Sequence, residues 1–109
     1  LGGALHHVHA MAHITGGGIP GNLDRALPSH LDAVVDTKAW DIPPLFRVLE
    51  DAGNVDRAEM YRAFNMGVGM IVITDTAGAS FIRDVASRAG VASWDIGHIR
   101  PGTGRVHLV

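Results

Sequence analysis

Three consecutive glycines, Gly16 to Gly18, lie at the centre of the run HITGGGIPGNL, His13 to Leu23. That run constrains the chain more than any other feature, because it forces a strand to stop, turn within a few residues and become a helix. Upstream, Val8, Ala10, Ala12 and Ile14 alternate with His7, His9, Met11 and His13, the period-two pattern of a strand with one buried face. Downstream, Pro20 suits the first turn of a helix, Leu23, Ala26 and Leu27 share one helical face, and Pro28 stops it. Two readings of the glycines stand side by side. Small residues let successive backbone N–H groups approach an anion at a helix start, which makes a phosphate or carboxylate cradle. Alternatively, the turn simply needs permissive backbone. The spacing excludes a Walker A loop and a dinucleotide fingerprint.

The rest of the chain continues to alternate strands and helices. Leu31 to Thr37 predicts a second strand. Pro43-Pro44 opens a helix through Ala52, with Gly53 as its left-handed terminator. Asp56 and Glu59 have capping-box spacing before a short helix over Arg57 to Phe64. Val68 to Thr74 is nearly all apolar, as expected of a strand buried on both faces. Ala77 to Ala89 predicts a helix on Phe81, Ile82, Val85 and Ala89, ended by Gly90. Ala92 to Ile99 and Arg105 to Val109 predict two strands joined through Pro101-Gly102 as a hairpin. The expected order is β-α-β-α-α-β-α-β-β: an α+β fold with helices packed on one mixed sheet.

Size and charge narrow the function. At 109 residues the chain is expected to form one domain. With 47% apolar and 18% charged residues it has the composition of a folded core rather than a disordered segment. A net charge of −2 and the lack of a basic run argue against nucleic acid as a partner. Cysteine is absent, which removes disulfides, zinc thiolates and Cys nucleophiles. No apolar stretch reaches bilayer length and no signal peptide is recognisable, so a cytoplasmic location and no membrane partner are expected. The chain starts at Leu1 rather than Met, as a fragment or processed chain would.

Other polar groups are weaker candidates. FNMGVGM, Phe64 to Met70, places two glycines at the entry of a strand; packing is the preferred cause, and Asn65 is the polar residue best placed to face a cleft. His7, His9 and His13 share a strand face, but without a carboxylate among them no metal site is expected. Asp36, Asp41, Glu50 and Glu59 read as solvated carboxylates. Ser29, Ser80, Ser87 and Ser93 have no nucleophile-elbow context. Trp40 and Trp94 read as core or interface anchors.

Two of these segments carry a resemblance. HITGGGIPGNLDRALP, together with PPLFRVLEDAGNVDRAEMYRAFNMGVGMIVI, resembles the C-terminal domain of the aminoimidazole ribonucleotide synthetases, also called phosphoribosylformylglycinamidine cyclo-ligases. The resemblance runs from about Val8 to the end of the chain. It implies ATP-dependent closure of an imidazole ring in purine biosynthesis: the formyl oxygen is phosphorylated, the amidine nitrogen attacks, and phosphate leaves. It also implies that ATP and Mg²⁺ are held mainly by an N-terminal domain, and that this part helps to form the substrate cleft. Carried onto this sequence, Thr15, Gly16, Gly17 and Gly18 fall to the substrate phosphate and His13 to a polar role in the cleft. The chain is roughly a third of a family member's length, so residues 1–109 read as a partial C-terminal domain. The ATP-binding domain is then absent, no cofactor belongs to this chain alone, and no catalysis is expected from it in isolation. The same truncation predicts a homodimer that covers exposed sheet. The alternative is a stand-alone truncated homologue with a structural, dimerising or ligand-binding role. Selenophosphate and thiamine-phosphate enzymes are a third, weaker match.

Overall fold

The computed structural model describes residues 8–109; His7 lies outside them. The elements are β1 (Val8–His13), α1 (Gly18–Ala26), β2 (Leu31–Val35), α2 (Pro44–Gly53), α3 (Arg57–Ala63), β3 (Met70–Thr74), α4 (Thr76–Arg88), β4 (Gly97–Pro101) and β5 (Val106–Leu108). This is the α+β order expected from the sequence. Among the described residues the strands, however, form two sheets and not one. β1 and β3 make an antiparallel pair, while β2 lies between β4 and β5, antiparallel to the first and parallel to the second.

Helix α1 joins the two sheets. It packs on β1, on α3 and on β5. Its apolar face buries Ile19 and Leu23 completely, beside Ile14 and Met60. Trp40, Tyr61, Met66, Val68, Ala12, Ala33, Val35 and Ile71 complete the core. The alternation read in β1 holds: Ala12 is buried, whereas His9, Met11 and His13 face outward. Trp40 is an anchor, with its indole N–H donating to the Met66 carbonyl at 3.0 Å.

The expected β4–β5 hairpin does not form. After Pro101 the Gly102 N–H donates to the His30 carbonyl, and the chain passes over the end of β2 to reach its far side. Asp32, on β2, fastens that crossing. Its Oδ1 accepts from the N–H groups of Thr103 at 2.8 Å and Arg105 at 2.9 Å, and its Oδ2 meets His107 Nε2 at 2.8 Å. These donors hold the Asp32 carboxyl well below the usual carboxylate range, the Arg105 N–H most strongly and then His107 and the Thr103 N–H. A side chain at Gly102 would overlap the Asp32 carboxylate, so the turn closes only over glycine.

Three smaller expectations also change. Met70 is half exposed and Ile71 is the one buried residue of β3, so this strand is not buried on both faces; among the described residues it pairs with β1 alone. Helix α2 is terminated by a left-handed Asn54 at φ 50° rather than by Gly53, with the Val55 N–H returning to the Glu50 carbonyl; asparagine tolerates that conformation. The Asp56 side chain makes no cap hydrogen bond, and Glu59 instead pairs with Arg62 at 2.7 Å. The cap that does form is Asp75, whose Oδ1 accepts from the Gly78 N–H at the start of α4.

Candidate functional site

β1 ends at His13, and Ile14 is pulled into the core with its N–H on the Gly69 carbonyl at 2.9 Å. His13 is paired across the ladder with Met70, and both are exposed. The two glycine-bearing motifs, far apart in sequence, therefore meet side by side. Thr15, Gly16 and Gly17 then cross the surface before α1 begins.

The turn over Thr15–Gly18 is closed by the Gly18 N–H on the Thr15 carbonyl at 3.0 Å, with Gly17 at φ 99°. A positive φ at the third turn position is the type II form and favours glycine there. Gly18 is glycine for another reason: it is buried, has φ 64°, and any Cβ would overlap the Tyr61 carbonyl on α3. Its N–H is also occupied, so the fold explains Gly18 fully. Gly16 is different. Its φ is ordinary and a Cβ there would meet nothing within 4 Å. Gly69, next to Ile14, has equally open space. Among the described residues no acceptor takes the N–H of Thr15, Gly16 or Gly17. The corner thus presents exposed amides beside the start of a nine-residue helix, an arrangement suited to an anion.

One side chain organises this corner. Asn22, on the second turn of α1, donates from Nδ2 to the carbonyls of Gly18 at 2.8 Å, Thr15 at 3.3 Å and Gly16 at 3.4 Å. Its Oδ1 accepts from the Thr15 hydroxyl at 3.3 Å. Sequence reasoning did not single out Asn22. Its signal was an asparagine placed inside a helix, where it is a poor former.

Asn65 follows Phe64, whose carbonyl lies close to Gly18. Its Oδ1 accepts from the Gly67 N–H at 2.9 Å and its carbonyl accepts from Val68, which shapes the turn into β3. A Cβ at Gly67 would overlap Pro43, so packing explains that glycine. His9 and His13 share the outer face of β1. Among the described residues no three His, Asp or Glu side chains come together as a metal centre. Two surface depressions, one along α4 by Ser80 and Arg83 and one beside Lys38 and Arg57, are not lined by residues of the glycine corner. Among the described residues no helix is long and apolar enough to cross a membrane.

The whole chain, residues 1–109, matches the family model of the C-terminal domain of AIR synthase related proteins. It is 44% identical over 100 residues to a phosphoribosylformylglycinamidine cyclo-ligase of Neisseria meningitidis, covering 92% of this chain and 29% of that protein. It is 46% identical over 103 residues to a protein of the same name from Methylobacillus flagellatus, covering 94% of this chain and 30% of the relative. The chain therefore spans about three tenths of the length of the curated relatives it matches.

Proposed function

The chain belongs to the family of AIR synthase related proteins, C-terminal domain, and from that premise we propose that it supplies the substrate-phosphate wall of a phosphoribosylformylglycinamidine cyclo-ligase. The observation that carries this reading is the set of amides at the exposed residues Thr15, Gly16 and Gly17, which meet no acceptor among the described residues, together with a glycine at position 16 that neither packing nor backbone angle requires. A phosphorylated ribose placed there gains charge-assisted hydrogen bonds from the backbone and the favourable end of the α1 dipole. Gly18 supports the corner from below and does not donate to the ligand. His13 and Met70 flank the corner on one side, which supports a polar contact between the imidazole and the body of the substrate.

The described residues do not fit a magnesium-nucleotide site. No carboxylate cluster is assembled, and Lys38, the only lysine, lies away from the glycine corner beside Asp41 and Trp40. No phosphoryl-transfer step is therefore placed on this chain, and ring closure by it alone is not expected. ATP-dependent turnover by the pure chain, above a mock preparation, would overturn that part of the proposal. Exposed Met11 and Met70 on β1–β3, and Leu45, Val48 and Leu49 along α2, support self-association of the isolated chain; a dilute, folded monomer by light scattering would count against it.

The binding claim is tested by calorimetric titration of the chain with ribose 5-phosphate. Saturable heat that is lost in Gly16→Asp, a substitution with open space around it, is the expected result. Equal heats for the two proteins would remove the corner as the site.

A further inference from the structure

We infer that Asn22 is the positioning residue of the glycine corner: by gathering the carbonyls of Thr15 and Gly16 on its side-chain amide, it aims the N–H groups of Gly16 and Gly17 at the ligand. The inference rests on the phosphate reading above and deepens it.

In a trans peptide the C=O and the following N–H belong to one rigid plane and point in opposite directions. The Thr15 carbonyl and the Gly16 N–H share one such plane, and the Gly16 carbonyl and the Gly17 N–H share the next. Both carbonyls turn toward Asn22 Nδ2. Both N–H groups are thereby turned away from it, out of a segment whose residues are exposed. The Gly18 N–H also holds the Thr15 carbonyl at 3.0 Å, so the plane that depends on Asn22 alone is the one joining Gly16 to Gly17, where no side chain restricts the backbone. The orientation of the Asn22 amide is itself determined by its surroundings. Three carbonyls face Nδ2 and one hydroxyl faces Oδ1; the flipped amide would set an acceptor against three acceptors.

The position also makes little sense as helix design. Asn is less favourable than Ala inside a helix by up to about 0.7 kcal/mol, and α1 already contains Pro20 and Gly21. What Asn22 contributes is order in the preceding loop. A loop ordered before binding spares the ligand the entropy of ordering it. Thr15 has a second part in this: its hydroxyl holds Asn22 Oδ1 and so keeps the amide from flipping.

The test uses the whole chain, wild type and Asn22→Asp, with two readouts. Asn22→Asp keeps the shape and the acceptor for Thr15 but removes the donor. Residual dipolar couplings report the Gly16 and Gly17 N–H directions, and calorimetry reports ribose 5-phosphate affinity. Rotated N–H vectors with affinity weakened at least about tenfold, at an unchanged overall fold, are expected. Unchanged vectors would overturn the assignment. So would normal wild-type binding matched by the variant, and in that case the phosphate reading would stand. No binding by the wild-type chain would overturn the phosphate reading itself, and with it the function given to Asn22. Should Asn22→Asp not fold, Asn22→Ala, which removes the same donor without adding a charge, is expected to weaken binding through the same loss of N–H order. Unmoved couplings in that variant would again contradict the inference.

Discussion

Replacing Asp32 is expected to undo the crossing that carries the chain from β4 to β5. The side chain is 7% exposed and holds the N–H groups of Thr103 and Arg105 on one oxygen and His107 on the other. In Asp32→Ala two partly buried N–H groups lose their acceptor, at about 1–2 kcal/mol each, and the contact with His107 adds less than about 1 kcal/mol. The sum is about 2–5 kcal/mol, a large part of the roughly 5–15 kcal/mol that holds a domain together. For a chain of this size it lowers Tm by on the order of 15 °C. Asp32→Asn is milder, about 1–2 kcal/mol, because its Oδ1 still accepts from both backbone donors. The pH dependence has a definite sign. The folded carboxyl lies below its ordinary value of 3.8, so its contribution is complete above that pH and is lost as pH falls through the folded value. The stability gap between wild type and Asp32→Asn should therefore narrow on acidification below about pH 4. Circular dichroism during thermal and urea unfolding, repeated across pH, measures both effects. An Asp32→Ala protein melting within about 2 °C of wild type would refute the role given to this carboxylate.

Further outcomes follow from the same contacts. Gly18→Ala forces a Cβ onto the Tyr61 carbonyl at a positive φ and should cost about 3 kcal/mol or more, whereas Gly16→Ala should leave Tm unchanged or slightly raised; equal melting of the two variants would contradict the separate roles given to these neighbours. Trp40→Phe removes the donor to the Met66 carbonyl and is expected to cost about 1–2 kcal/mol in urea unfolding, so a neutral result would mean that the bond is replaced by solvent. Asp75→Ala uncaps α4 at about 1 kcal/mol; hydrogen exchange at Gly78 should rise ahead of the rest of the helix, and uniform protection would argue against the cap.

Much of this fold was legible because its signals are local. The alternation from Val8 to Ile14, the prolines that open α1 and α2, and Gly90 behind α4 act over a few residues, and the elements formed where these signals stand. The readings that failed depended on distant partners. Thr103 and Gly104 look like part of a hairpin connection until Asp32, 71 residues away from Thr103, supplies the acceptor that redirects the chain. The apolar run of β3 resembled a doubly covered strand, yet Met70 stands half exposed on it. At the glycine corner the sequence located the loop but could not separate its glycines. Gly18 is dictated by Tyr61, Gly17 by the turn, and Gly16 by neither. Asn22 went unnoticed because its importance lies in three carbonyls that only the folded loop brings together.

The most direct test of the central claim is a two-dimensional ¹⁵N–¹H spectrum of the whole chain, recorded while ribose 5-phosphate is added. Saturable shifts concentrated at the amides of Thr15, Gly16 and Gly17 are expected, with smaller ones at Gly69 and His13. Shifts confined to another region, such as α4 around Arg83, or none at millimolar ligand, would contradict the claim.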